Sequence, residues 1–198
     1  MSSSRRRFLE GLALLAVLDG GRASTATAAD PAALLLRRGE PGLVVLMRHA
    51  LAPGTFDPPG YRLDDCTTQR NLSDVGREQA RRIGRWFREQ SLEPSRVRSS
   101  AWCRCLETAR LAFGRAEPWS PLDSIIGERA RQAEHVAALR AELARLAGGT
   151  LRGFEVWVTH QVNIGALAGA STAAGEAVLL RHDASRDAVV VLASLHIE

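Results

Sequence analysis

The sequence predicts an α/β protein, a three-layer α/β/α sandwich with a mostly parallel central sheet. Three observations carry that expectation. Short apolar runs alternate with amphipathic stretches from residue 42 to the C-terminus. The runs at 42–47 and 155–159 suit strands covered on both faces, as parallel strands are. The 198 residues, 45 % hydrophobic and 24 % charged, suit one domain with its own core. They exclude wholesale disorder and a polytopic membrane protein.

The first segment stands apart. Ser4-Arg5-Arg6-Arg7-Phe8-Leu9-Glu10 precedes an apolar run at 11–18, and Ala-Ser-Thr-Ala-Thr-Ala-Ala follows at 23–29. A basic start, a short apolar stretch and an Ala-x-Ala end describe an export signal. The run is far short of the ~20 residues a spanning helix needs. Twin arginine followed by Phe-Leu resembles the signal of the twin-arginine pathway. The expected organisation is a signal at 1–29, cleaved after Ala28 or Ala29, and one domain at 30–198, with a periplasmic destination.

All 26 basic residues are arginine, and the formal net charge is +4. Residues 1–29 hold four arginines and two acids, so the rest of the chain is close to balance. No basic stripe is interleaved with aromatics, which argues against a nucleic-acid partner.

The elements then follow in order. Residues 30–40 read as a short lead-in. The run at 42–47 is a strand that ends abruptly in Arg48-His49-Ala50. Five Pro and Gly residues punctuate 51–70, so it reads as a loop. Ser73 is placed to N-cap a helix running to about Gln90, with Ala80, Ile83, Trp86 and Phe87 as its core stripe. Its arginines, Arg77, Arg81, Arg82, Arg85 and Arg88, form a solvated face. Residues 95–100 read as a short strand and turn, and 102–113 as a helix. A Pro-containing connection spans 114–127. An amphipathic helix at 131–146 ends at Gly148-Gly149. A strand at 155–159 closes on His160, a small-residue helix follows at 163–169, and the last strands lie at 177–180 and 188–195.

Sites in open α/β sheets form beyond the carboxyl ends of the strands. Two strands here end in His, at Arg48-His49 and at Thr159-His160. Two imidazoles and several guanidinium forks around one point make an anion pocket, and phosphate matches the forks. Neutral imidazole is a good nucleophile near pH 7. Phosphoryl transfer needs positioning and charge neutralisation above all.

Four blocks carry a family resemblance. They are Leu46-Met47-Arg48-His49-Ala50, then Asn71-Leu72-Ser73-Asp74-Val75-Gly76 with Gln79-Ala80, then Ser100 to Arg104 with Thr108-Ala109, and last Val158-Thr159-His160-Gln161. In this order they resemble the histidine phosphatase superfamily, which includes the cofactor-dependent phosphoglycerate mutases. The resemblance implies a phosphoglycerate mutase-like fold and a phosphohistidine formed on His49. It makes Arg48 and Arg104 holders of the phosphoryl oxygens and His160 the second pocket histidine. It implies no metal and no cofactor. The family supplies a general acid from the segment after the Arg104 helix, which offers Glu128, favoured slightly, and Asp123. Glu107 is expected to pair with a cation instead. Asn163 and Trp102 are further candidates for substrate binding. Ala50 and Gln161 stand where the family has Gly, and the loop at 51–70 lacks its usual polar residues.

The expected activity is phosphomonoester hydrolysis in the cell envelope, on a small-molecule or envelope-glycan phosphoester. Two alternatives are a phosphate-binding protein that keeps the pocket without turnover, and a mutase. Val178-Leu179-Leu180-Arg181-His182 repeats the strand-Arg-His pattern without the other blocks and reads as an exposed turn. Cys66 is free to pair with Cys103 or Cys105, or all three cysteines are free thiols.

Overall fold

The computed structural model describes residues 31–126, 128–150 and 152–197. The export signal at 1–29 and its cleavage points lie outside the described residues. Six strands form one sheet: β1 (Leu43–Arg48), β2 (Arg96–Ser99), β3 (Glu117–Pro118), β4 (Phe154–Thr159), β5 (Ala177–Asp183) and β6 (Ala188–Leu195). The helices are α1 (Pro31–Arg38), α2 (Asp74–Glu89), α3 (Cys103–Phe113), α4 (Arg129–Ala147) and α5 (Gln161–Ala168).

The strand order is β3-β2-β4-β1-β5-β6. β3, β2, β4 and β1 pair in parallel, while β5 is antiparallel to both β1 and β6. Five strands therefore share one direction and β5 alone runs against them. The two faces of β1 explain its unbroken apolar run. Leu43, Val45 and Met47 face one core with α1, α2 and α3, through Leu36, Ile83, Phe87 and Ala109. Val44 and Leu46 face the other with α4 and α5, through Leu139, Leu143, Ile164 and Leu167. This is the expected three-layer sandwich.

The α2 boundaries follow from local chemistry. Ser73 Oγ accepts the Gly76 N–H at 3.1 Å, an N-cap that satisfies one orphan donor of the first turn. Gly84 lets α2 lie against α3: a Cβ there would sit 2.2 Å from the Ala112 carbonyl oxygen. Of the α2 arginines, Arg81, Arg85 and Arg88 are exposed. Arg77 is half-buried because it pairs with Glu107 of α3 at 2.7 Å.

Several expectations are corrected. Residues 31–38 form a helix, not a lead-in, because Ala32, Ala33 and Leu36 bury one stripe against the sheet. The connection after α3 contains β3 and a 3-10 turn at Ser120–Leu122. Arg181-His182-Asp183 is not a turn but the end of β5, which pairs with β6 as far as Asp183. Arg181 there pairs with Glu40 at 2.8 Å, and His182 with Asp187 at 3.1 Å. Neither residue lines the cleft described below.

Strand register delivers the site. Arg48 of β1 lies beside Thr159 of β4, and Ser99 of β2 beside Val158. The residues that follow, His49, His160 and Ser100, therefore emerge at neighbouring carboxyl ends of three parallel strands.

Candidate active site

Backbone pairing carries one residue past these strands. The His49 N–H donates to the Thr159 carbonyl at 3.0 Å, and the Ser100 N–H to Val158 at 2.9 Å. The His49 and His160 rings meet edge to face, with centroids 5.6 Å apart. Both side chains are buried. His49 Nδ1 lies 2.7 Å from the Ala50 carbonyl oxygen, an acceptor only. Nδ1 therefore carries the proton, and Nε2 keeps its lone pair. Burial pulls the His49 pKa down to about 3, helped by Arg104, Arg70 and Arg48 against the Ala50 hydrogen bond. The ring is neutral at physiological pH. Burial also pushes His160 well below its ordinary value, again with Arg104 contributing.

Arg48, Arg70 and Arg104 line one cleft of about 210 Å³ together with His49 and His160. Each guanidinium is anchored by hydrogen bonds. Arg48 Nη1 donates to the Thr172 carbonyl at 2.9 Å, and Arg70 Nη1 to the Ala52 carbonyl at 2.6 Å. Arg104 Nη1 donates to both Asp57 oxygens, at 2.8 and 3.1 Å. Each of the three keeps a buried Nε–H with no hydrogen-bond partner among the described residues. Three guanidinium groups lining one cleft beside a histidine pair make a cavity suited to an anion.

His160 is fixed from two sides. Arg104 Nη2 lies 3.4 Å from its Nδ1, which must accept, so Nε2 carries the proton and donates to Ser100 Oγ at 2.9 Å. Ser100 in turn bonds the Asp123 side chain. Asp123 Oδ1 also accepts the Ala101 N–H at 2.7 Å. Burial raises the Asp123 pKa against both of those hydrogen bonds.

The structure thus brings together Arg48, His49, Arg104 and His160. The other expected residues stand outside the cleft lining. Glu128 precedes α4 and pairs with Arg131 at 2.9 Å, because the start of that helix turns its side chain back along its own first turn. Asn163 is buried behind the cleft and donates to the Asp123 carbonyl at 2.8 Å, so it pins the connection before α4. Trp102 is buried against His160, ring centroids 5.5 Å apart, and its indole N–H donates to Asp57 at 3.2 Å. It packs the cleft wall from behind.

Arg70 and Asp57 were missed in the sequence. Asp57 sits in the Pro-rich loop with no motif around it. Burial alone would raise its pKa, but the Arg70 N–H, Arg104 and Trp102 outweigh that and hold it low. The only sequence signal for Arg70 is its place just before the Asn71-Leu72-Ser73 block.

The departures from the family pattern are absorbed locally. The Ala50 N–H donates to Thr108 at 3.0 Å with its methyl group fully buried. Gln161 Oε1 accepts from the Thr172 N–H and hydroxyl, at 2.9 and 2.8 Å, so it anchors the residue whose carbonyl holds Arg48. Cys66 and Cys103 form a disulfide, and Cys105 is a buried thiol whose pKa burial pushes up to about 12.

A model of the histidine phosphatase superfamily, branch 1, matches residues 44–131. That stretch holds Arg48, His49 and Arg104 and ends before His160. None of the curated proteins matches the sequence. Among solved structures, the protein histidine phosphatase SixA complexed with tungstate is 18 % identical, with TM-score 0.54 over 77 % of this chain and 96 % of that one. Phosphoglycerate mutase from Bacillus anthracis is 12 % identical, with TM-score 0.56 over 78 % and 93 %. Mycobacterial glucosyl-3-phosphoglycerate phosphatase is 17 % identical, with TM-score 0.54 over 75 % and 96 %. At such identities these likenesses establish the fold. The family match over residues 44–131, beside the paired strand-end histidines, makes this stretch similar to the histidine phosphatase superfamily, on a phosphoglycerate mutase-like fold.

Proposed function

We propose that the protein is a phosphomonoester hydrolase acting through a phosphohistidine on His49. The observation that carries this is the cleft itself: a neutral imidazole that keeps its Nε2 lone pair, beside three guanidinium groups. The phosphoryl group of the substrate sits among Arg48, Arg70 and Arg104. The His49 Nε2 lone pair forms a bond to phosphorus as the P–O ester bond breaks. The ester oxygen leaves with the electron pair and takes up a proton, becoming the alcohol. Water then attacks phosphorus, phosphate departs and neutral His49 is regenerated. Splitting the displacement into two steps is the gain of covalent catalysis. The arginines neutralise the charge of the equatorial oxygens throughout.

Burial favours the protonated form of Asp123, but neither Asp123 nor Glu128 lines the cleft, so the leaving oxygen draws its proton from the water that reaches the cleft. Glu128 is engaged with Arg131. Hydrolysis in the cell envelope is supported by the export-type first segment and by the Cys66–Cys103 disulfide, since disulfides persist in oxidising compartments. A small phosphoester with an open path to water suits this site better than a mutase's enclosed bisphosphate, given a cleft of about 210 Å³.

The test is phosphate release from an aryl phosphate by the wild type and by His49→Ala, between pH 4 and 8, with and without EDTA. Wild-type turnover that survives EDTA and vanishes in the variant is expected, together with a 32P-labelled, acid-labile protein intermediate. A wild type no faster than His49→Ala refutes hydrolysis and leaves phosphate binding as the activity.

A further inference from the structure

We propose that the cleft selects phosphomonoesters whose alcohol carries an aromatic or branched apolar group close to the ester oxygen, seated between Phe56 and Ile126. This rests on the hydrolase reading above and names its substrate class.

The cleft is divided by chemistry. Its inner part, with His49, His160 and the three arginines, is taken up by one phosphoryl group. Its outer lining includes Phe56, Ile126 and Val162, which come from three separate segments: the loop after β1, the connection before α4, and the first turn of α5. Phe56 is 70 % exposed and Ile126 48 %. Single exposed apolar side chains are ordinary on a protein surface. Two on opposite segments of one cation-based cleft are placed where a ligand covers them.

Size limits what the cleft can enclose. Sites that bury a drug-sized ligand run to roughly 300–1,000 Å³, and this one is about 210 Å³. It holds the phosphoryl group and the first few atoms of the alcohol, and the remainder lies against Phe56 and Ile126. The charges nearby do not favour a second anionic group on that alcohol. The Asp57 carboxylate shares the cleft, and Arg131 is already paired with Glu128. The Gln161 amide is occupied by Thr172 and Ala170. An apolar alcohol needs nothing from any of them.

The experiment uses non-hydrolysable phosphonates, so it reads binding whether or not the protein turns over. Calorimetric Kd values are measured for phenethylphosphonate and ethylphosphonate, and for a phosphonate of matched length ending in a carboxylate. The proteins are wild type, Phe56→Ala and Ile126→Ala. The wild type is expected to prefer the phenethyl compound by about tenfold over ethyl, and to bind the carboxylate compound no better than ethyl. Each variant is expected to cut the phenethyl preference by threefold or more. Equal affinity for phenethyl and ethyl, a preference for the carboxylate, or a phenethyl preference unmoved in both variants overturns the proposal. Selective phenethyl binding without any phosphate release overturns the hydrolase reading and leaves this one standing.

Discussion

Replacing both Cys66 and Cys103 by Ser opens a loop of 37 residues that carries Arg70 and ends beside Arg104. In the chain-entropy account, closing a loop of that length lowers the entropy of the unfolded chain by an amount worth about 4 kcal/mol at 25 °C. That is a large share of the ~5–15 kcal/mol that holds a typical domain folded. For a protein of this size each kcal/mol moves Tm by roughly 2–4 °C, so a fall of about 8–16 °C is expected. The native contacts across the bridge do not depend on the sulfurs. The Cys103 N–H donates to Gln69 at 3.0 Å, and Asp57 ties the Arg70 N–H to the Arg104 guanidinium. The double variant therefore folds to the same site with less stability. The assay is thermal melting of the wild type with and without reductant, beside the double variant, with thiols counted in each sample. Reduced wild type and variant should melt together, well below oxidised wild type. A variant within about 2 °C of the oxidised wild type would refute the argument, because the bridge would then constrain nothing in the unfolded chain.

Acid should destabilise the protein through its histidines. Folded His49 titrates at about 3 against 6.5 for a free imidazole. The unfolded chain binds more protons between those values, so stability rises with pH across that window and is complete above it. The slope from this group is about 1.4 kcal/mol per pH unit. Urea melts of wild type and His49→Asn at pH 4.5 and 5.5 should differ in slope by roughly that amount, and parallel profiles would contradict a buried neutral His49. For the arginines, Arg70→Ala should weaken inorganic phosphate binding by roughly 10–100-fold, the value of a charged hydrogen bond. Arg181→Ala, on β5 and paired with Glu40, should leave it within twofold. Equal losses in a phosphate titration would mean that the strand-Arg-His repeat at Arg181 also binds the anion.

Much of this molecule is legible in its residues. The Ser73 cap and the stripe of Ala80, Ile83 and Phe87 define α2 to within a residue, because the signals for a helix start and an amphipathic face are local. The runs after Gly42 and Gly153 mark strands covered on both faces. Arg48, His49, Arg104 and His160 carry motif signals, and they meet. The short helix α1 was hidden because eight residues rich in Ala and Leu look the same in a lead-in as in a helix until a sheet face covers them. Glu128 and Asp123 could not be separated by sequence, since proton affinity depends on burial and neighbours rather than on residue type.

The sequence alone determined the α/β class, the order of the main strands and helices from residue 42 on, and Arg48, His49, Arg104 and His160, because those depend on periodicity and short motifs. The tertiary structure decided the rest. It recruited Arg70 and Asp57, paired Cys66 with Cys103, turned Glu128 away to Arg131 and brought Phe56 and Ile126 to one cleft. Apart from the local Glu128–Arg131 pair, each of those outcomes is a through-space meeting of residues distant in the chain. It is set by strand register and loop closure, which no local pattern encodes.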